Sequence, residues 1–304
     1  MMRGRSTWSL AVRRPGKEIY VECNPVKGLG ARYPAFRKPF LRGVAALAES
    51  MSIGVRALTI SANEALEEEA KLSTKQMGWT LAFAFAAFTV IFIILPAVGV
   101  SFLHHKTSSS LVRNLIEGGV RIGIFLAYLI GISYMKDIRR TFMYHGAEHK
   151  TIAAYEAGEP VLEPEAVDKY STLHVRCGTN FLIIVMLLTI VVFTVLDVIF
   201  GRPGLLVRLV ERVLAIPLIA GISYEGLRLG ANYGDNFIVR ALMKPGLWLQ
   251  KITTKPPTDD QIEVAIRAFE AVLPDEERAR VPALPSRVVE RDAQGSTGPV
   301  PGLT

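Results

Sequence analysis

The chain has 304 residues, of which 50% are apolar, and its mean hydropathy is +0.30. The apolar residues are bunched into long segments, which excludes an ordinary soluble domain and is typical of a membrane protein. The net charge of +7 is explained by Lys and Arg beside anionic lipid, and no nucleic-acid-binding motif accompanies it. Two cysteines, Cys23 and Cys177, lie in dissimilar segments, which excludes a disulfide framework and indicates free thiols in a reducing compartment.

The first 77 residues predict a small hairpin followed by an amphipathic helix. Two strand-like runs within residues 6–23 are joined by the turn sequence Arg14-Pro15-Gly16-Lys17. Residues 40–71 then carry an apolar stripe with helical spacing and end in a run of acidic residues. An interfacial or membrane-packed amphipathic helix fits this pattern best, with a soluble core helix as the alternative.

Four apolar segments predict four transmembrane helices. A helix needs about 20 apolar residues to cross the hydrocarbon core. Glu117 and Arg121 lie inside the second segment at a spacing that allows an ion pair, which reduces the cost of placing them in lipid. We therefore predict a mainly α polytopic membrane protein, with a bundle over residues 78–230 and a central loop at 136–177. The predicted spans are 79–103, 111–135, 181–200 and 205–227.

Four crossings place both termini on one side of the membrane. Lys and Arg follow the second and fourth spans and occur in the N-terminal region, so we predict that side to be the cytoplasm and the membrane to be the plasma (inner) membrane, with membrane lipid as a partner. Residues 231–273 predict helices on the same side, one of them capped at Thr258 and Gln261. Residues 274–304, rich in Pro, Gly, Ser and charge, predict a disordered tail.

The central loop contains the sequence Tyr144-His145-Gly146-Ala147-Glu148-His149-Lys150. In a helix, His145 and His149 share one face, with Glu148 beside them. The order His-x-x-Glu-His matches the inverted zinc-peptidase signature, in which two imidazoles hold the metal and the Glu is the catalytic residue. Two histidines at a membrane interface that bind phosphate or lipid are the alternative interpretation.

A metal site needs at least one further ligand, and the predicted topology brings four candidates to the same interface. They are Glu156, His174, Cys177 and Glu225. A site that binds both His174 and Cys177 would be closed and structural, whereas one further ligand leaves a position open. The neighbouring sequence 176–180 indicates either an anion site at a helix N-terminus, supported by Arg176, or a turn at Gly178 with Thr179 or Asn180 as the cap of the third span.

At these residues the chain resembles the YqhQ-like family of bacterial membrane proteins, which are described as predicted metal-dependent enzymes of unknown function. The resemblance covers nearly everything up to about residue 272. Val175 departs from the family pattern, which has Pro there, and a Gly-rich segment that usually precedes Met1 is lacking, which implies an incomplete N-terminus. The matching stretches are 1–4, 39–43, 142–150, 155–158, 174–181, 245–250 and 259–263.

The resemblance and the motif together favour a metal-dependent enzyme at the cytoplasmic membrane interface. The expected cofactor is a divalent metal, most simply zinc, and the expected activity is a hydrolase with Glu148 as its catalytic residue. The alternative is a non-catalytic factor in membrane-protein biogenesis or secretion that binds a membrane-protein partner. The predicted metal ligands are His145, His149, His174, Cys177 and Glu225.

Overall fold

A computed structural model describes most of the chain as a mainly helical protein with a small sheet. The described residues are 1–4, 6–26, 28–65, 73–101, 109–175, 177–201, 204–233, 236–278, 281 and 288–291. The strands are β1 (Met2–Arg3), β2 (Thr7–Arg13), β3 (Ile19–Pro25) and β4 (Val288–Arg291).

Twelve α-helices are assigned in the part of the chain that the structure describes, and a 3-10 helix (Pro34–Arg37) follows the first of them. A π-helical turn (Val90–Ile94) joins α3 to α4. The α-helices are α1 (Leu29–Arg32), α2 (Leu41–Glu64), α3 (Thr74–Thr89), α4 (Leu95–Ser101), α5 (Ser110–Ser133), α6 (Lys136–Glu156), α7 (Pro164–Val167), α8 (Gly178–Phe200), α9 (Leu205–Asn232), α10 (Phe237–Thr253), α11 (Asp259–Glu270) and α12 (Asp275–Arg278).

The predicted hairpin is confirmed as the central pair of a four-stranded sheet. β2 and β3 pair antiparallel, β1 pairs with β2, and β4 lies parallel to β3 with Val288 opposite Ile19. The prediction that residues 274–304 are disordered is wrong for residues 288–291, and α12 also lies within that range. A two-stranded hairpin is marginal alone, and the unpaired edge of β3 offers hydrogen bonds that the short segment 288–291 satisfies.

Both faces of the sheet are covered by helices. Alternate residues of β2 point to opposite sides, so its side chains contact a different helix on each face. Trp8, Leu10 and Val12 form a cluster with Ala57 of α2. The opposite face meets α11, where the Ser9 hydroxyl donates a hydrogen bond to the carbonyl of Ala268. This alternation explains why nearly all of β2 is buried.

A second core joins segments that are distant in the sequence. Ile19 of the sheet, Ala147 and Ala154 of α6, Val167 of α7 and Ile262 of α11 belong to one cluster and are completely or almost completely buried. We call the unit formed by β1–β4, α6, α7 and α11 the polar domain, because α6 and α11 are polar on average while the helices around them are apolar. The central loop of the sequence is thus part of a packed domain.

Helix α2 links the polar domain to the apolar helices. Its first turns pack on α9, where a Cβ atom built on Gly43 would lie 2.7 Å from the Cβ of Tyr224. Farther along, Glu49 accepts hydrogen bonds from Arg3 and from the backbone of Leu29, and Ala57 packs on the sheet. These contacts join α2 to the apolar helices at its beginning and to the polar domain farther along its length.

Length and composition make three of the described helices candidates to cross a membrane, namely Leu41–Glu64, Leu111–Ser133 and Gly178–Phe200. The second and third predicted spans are thus long apolar helices, and the chain is a membrane protein by this criterion. The predicted four-span count is not confirmed. The first predicted span appears as a shorter apolar helix, Gly78–Ile94, which includes the π turn, and α9 is helical without meeting the criterion for a span.

Buried charges hold α5, α8 and α9 together. Glu117 of α5 accepts hydrogen bonds from both Arg212 of α9 and Arg121 of its own helix, and Glu117 and Arg212 are each about 5% exposed. Both guanidinium groups also lie over the ring of Phe193 on α8, at 4.8 Å for Arg212 and 5.6 Å for Arg121. The predicted ion pair between Glu117 and Arg121 therefore exists, but the principal partner of Glu117 is Arg212.

Glu117→Gln is expected to destabilise the bundle by about 3–5 kcal/mol, because it leaves two buried guanidinium groups without their shared carboxylate. Denaturant unfolding in detergent micelles measures this change. The double variant Glu117→Gln/Arg212→Gln should be more stable than Glu117→Gln alone, since one uncompensated charge is then removed. Glu211→Gln, next to Arg212 but outside the cluster, is the matched control and should stay close to the parent protein; equal destabilisation by both single variants would contradict this account.

Candidate metal centre

Helix α6 places the two motif histidines one turn apart on the side that faces α10 and the segment after α7. The rings of His145 and His149 are 4.4 Å apart between centroids. Their Nδ1 atoms lie 2.9 Å from the carbonyl oxygen of Thr253 and 2.6 Å from that of Thr172, respectively. A carbonyl oxygen only accepts, so each Nδ1 carries a proton, and in the neutral rings Nε2 keeps its lone pair.

The third member of the group comes from the N-terminus of α8. Cys177 is the N-cap residue of this helix, and its Sγ lies 3.4 Å from Nε2 of His145. The backbone N–H and the hydroxyl of Thr179 also point to the sulfur, at 3.5 and 3.4 Å. The thiol therefore lies where the polar domain meets an apolar helix, surrounded by donors that favour its ionised form.

The electrostatics of the pair agree with this arrangement. Burial raises the pKa of the Cys177 thiol, but hydrogen bonds from His145, His149 and Thr179 outweigh it and lower the pKa to about 5. Burial lowers the pKa of the His145 imidazole, whereas the bonds to Cys177 and Thr253 and the charge of Glu148 raise it, and the net shift is upward. At neutral pH the sulfur is thus a thiolate, which is the form that binds metals.

We call His145, His149 and Cys177 the His–His–Cys group. Their potential ligand atoms all lie within 4.8 Å of one another. Bond lengths of about 2.0 Å to nitrogen and 2.3 Å to sulfur put the ligands of a tetrahedral zinc ion about 3.5 Å apart. The separation of 3.4 Å between Cys177 Sγ and His145 Nε2 matches this value, so the residue types and this one pair are compatible with a tetrahedral ion.

Gly146 has a steric role within the motif. A Cβ atom built on it would lie 2.2 Å from the carbonyl oxygen of Lys255, and the N–H of Lys255 donates to the carbonyl of Phe142 at 2.9 Å. Glycine therefore lets the segment after α10 come into contact with α6. The same close approach brings the Thr253 carbonyl to His145, so the residue between the histidines positions one of them.

His174 borders the group without joining it. Its ring centroid is 5.9 Å from that of His149, and its Nε2 lies 3.1 Å from a carboxylate oxygen of Glu156. The side chain of Gln250, which is completely buried, binds both the N–H and the C=O of His174 at 2.8 Å. Two predicted candidates, His174 and Glu156, thus form a pair of their own beside the group.

The structure does not bring Glu225 into the group, although it was a predicted ligand. Its carboxylate binds the guanidinium of Arg42, with one N–O distance of 2.7 Å, and accepts a bond from the backbone of Phe40 at 3.3 Å. The reason is packing: this part of α9 faces the beginning of α2, where Gly221 touches the backbone of Phe40. Glu225 was predicted to lie at the same membrane interface as the His–His–Cys group, but this was not enough to bring its side chain to the group.

Glu148 lies next to the group on α6. Its carboxylate accepts a hydrogen bond from the amino group of Met1, and its side chain is 27% exposed. Its negative charge acts on His145, as the shift in the pKa of that residue shows. The N-cap of α8 is Cys177, and not Thr179 or Asn180 as predicted, because the helix already begins at Gly178; Arg176 lies outside the described residues.

Several residues of the site were not predicted. Thr172 and Thr253 act through backbone carbonyls, which no side-chain pattern identifies. Gln250 is a buried residue that binds the backbone of His174, and Asn180, which was predicted only as a candidate helix cap, donates instead to the carbonyl of Val175. The signal that was available is Gln250 itself, a polar residue at the end of an apolar, amphipathic helix.

The architecture is therefore that of an apolar helical bundle with a polar domain and a His–His–Cys group at their junction. Residues 38–275, which include the whole group, match the family described as "Protein of unknown function (DUF1385)". The chain is 34% identical over 290 residues to the uncharacterized protein YqhQ of Bacillus subtilis (strain 168), which covers 90% of this chain and 89% of that relative. The chain belongs to this family, and the predicted YqhQ-like resemblance is confirmed. No solved structure matches it.

The two thiols provide a test of the electrostatics. In protein treated with a chelator, alkylation of Cys177 by iodoacetamide is expected to rise with a midpoint near pH 5, since the thiolate is the nucleophile and the pKa is about 5. Cys23 is the internal control, because burial raises the pKa of its thiol and keeps it protonated at neutral pH. Peptide mass spectrometry over a pH series measures both rates. The same midpoint for both thiols would contradict the assignment.

Proposed function

We propose that this chain is a membrane-bound protein that holds a divalent metal ion, most simply zinc, through His145, His149 and Cys177. The observation that carries the proposal is the fixed orientation of the two imidazoles. Both Nδ1 atoms are occupied by backbone carbonyls, so both Nε2 atoms are left to bind a ligand once deprotonated, and Cys177 Sγ lies 3.4 Å from one of them. Carbonyl partners of this kind are the usual support of zinc-binding histidines.

Three protein ligands favour a catalytic over a structural site, because structural zinc sites use four. When bound, the ion would supply Lewis-acid chemistry at an open coordination position. His174 and Glu156 stand beside the group as a hydrogen-bonded pair that can take up or release a proton at Nε2 of His174. Glu148 is our candidate for the general base, since it lies on the same helix turn as His149 and its charge reaches His145.

A hydrolase at the inner face of the plasma membrane is the reaction class and location that we propose. The support for the location is the Lys and Arg that follow the second and fourth predicted spans, on the side where the polar domain lies. The support for hydrolysis is the order of the motif together with the three-ligand group. A location at the membrane surface is also supported by Cys177, which lies between the polar domain and the apolar helix α8.

A second candidate is nucleophilic catalysis by Cys177 with His145 as its partner. The observation in its favour is the 3.4 Å contact between Sγ and Nε2 at the beginning of α8, which is the arrangement of a thiolate and an imidazolium. This candidate differs from the metal-dependent hydrolase in one respect, because here the metal-free protein would be the active form. Metal analysis therefore distinguishes the two.

Protein purified in detergent is expected to bind one zinc ion per chain, measured by elemental analysis and by titration with a competing chelator. His145→Ala, His149→Ala and Cys177→Ser should each lower the affinity by more than about 100-fold, since loss of a mere supporting contact already costs about 10–100-fold. Cys23→Ser is the matched thiol control, and Glu225→Gln tests the residue that the structure separates from the group; both should retain the ion.

His174→Ala measures the number of ligands. Retention of zinc at one per chain is expected, because its Nε2 is bound to Glu156. Absence of zinc from the parent protein, in a preparation that is folded and competent to bind added ions, would overturn the metal centre and leave the thiolate candidate. Glu148→Gln should retain the metal and lose complementation of a deletion strain if Glu148 is catalytic.

A further inference from the structure

A narrow apolar groove runs along α8 through the middle of the bundle. Its volume is about 280 Å³, and α2, α3, α5, α9 and the π turn complete its walls. Phe181 lies near one end and Phe193 near the other, and side chains such as Val185 and Ile216 line the stretch between them. Phe181 stands only one helical turn from Cys177, so this end of the groove begins close to the His–His–Cys group.

The length of the groove matches one leaflet of a membrane. Phe181 and Phe193 are twelve residues apart, which corresponds to about 18 Å along the helix. One half of the hydrocarbon core measures about 15 Å. The groove therefore extends from the membrane surface nearest the polar domain to about the bilayer centre.

The volume of the groove decides what kind of group fits it. An α-helix with a diameter of about 10 Å fills about 1,400 Å³ over this length, which exceeds the 1080 Å³ of empty space in the groove and its open side. A transmembrane helix of a partner protein is thus too thick. A single extended hydrocarbon chain is narrow enough.

The polarity of the groove walls indicates at which end the polar part of a bound molecule lies. The deep end is lined by Arg121 and Arg212, whose guanidinium groups already share Glu117 and cover the ring of Phe193. The remaining lining is apolar apart from Thr189, whose hydroxyl donates to the carbonyl of Val185 in its own helix. A polar headgroup therefore finds its partners only at the Phe181 end, beside the polar domain.

We propose that the groove binds one acyl chain of a membrane phospholipid, with its headgroup and ester groups at the level of Cys177. In naming lipids as the substrate class of the His–His–Cys group, this inference rests on the proposed metal centre. The binding of the chain itself rests on the groove alone. Burial of the apolar chain supplies the affinity. The charged residues Arg121 and Arg212 at the deep end limit how far the chain enters and therefore the level of the ester groups.

Photo-crosslinking in vesicles of phosphatidylethanolamine and phosphatidylglycerol tests the proposal. The probe is phosphatidylglycerol with a diazirine on one acyl chain, either next to the carbonyl or at the terminal methyl group. We expect the first probe to label Phe181, and the second to label the region of Thr189 and Phe193, each about tenfold above the exposed residues of α8. Labelling confined to exposed residues such as Val191 and Val195, whatever the position of the diazirine, would overturn it.

A matched pair of substitutions on α8 adds a second measurement. Val185→Trp fills the groove and should abolish labelling near Phe193, whereas Val191→Trp, at a residue that is 58% exposed, should leave it unchanged. A thermal unfolding transition in detergent close to that of the parent protein shows that either variant is folded. Equal labelling of the two variants would overturn the proposal.

His145→Ala separates this inference from the metal centre. We expect it to lose zinc and to keep the labelling pattern, because the groove does not include that residue. Zinc binding without the depth-dependent pattern would refute the acyl-chain site and leave the metal centre standing. The pattern without zinc binding would refute the metal centre and leave the chain site standing.

Discussion

Two backbone carbonyls, those of Thr172 and Thr253, determine the orientation of both imidazoles on α6. Each carbonyl belongs to a different segment, so the site exists only when α6, the segment after α7 and the end of α10 are packed together. Gly146 allows the last of these contacts, and Gln250 holds the segment that leads to Cys177. The chemistry of the group is thus a consequence of close backbone packing, because a side chain at position 146 would separate the elements.

The same packing couples the polar domain to the membrane. Cys177 is both a member of the His–His–Cys group and the N-cap of an apolar helix, and four residues later Phe181 begins to line the groove. Farther along this helix, Phe193 meets the buried cluster of Glu117, Arg121 and Arg212. One helix therefore connects the surface site with the centre of the bundle. Charges at that depth are tolerated because they satisfy one another.

The order of residues in the motif, the hairpin and the two cleanest apolar helices could be predicted from local sequence. A spacing of four residues puts His145 and His149 on one face of any helix, and alternation in β2 predicts a strand wherever it packs. The predicted number of four spans was not confirmed. Hydropathy along the sequence does not register the π turn at Val90–Ile94 or the contacts of α2 with the polar domain. The prediction for residues 288–291 was wrong because composition reports the absence of a core in a segment, and not the presence of an open strand edge elsewhere.

The sequence by itself determined the class of protein, the two imidazoles and the family, since these depend on composition and on spacings within one element. Only the tertiary structure decided which distant residues complete the site. Cys177 and Glu225 looked equivalent as third ligands, but one caps a helix that begins beside His145, and the other faces Arg42 on α2. Which way a side chain points depends on how neighbouring helices pack, and that information is spread over contacts between residues far apart in the chain.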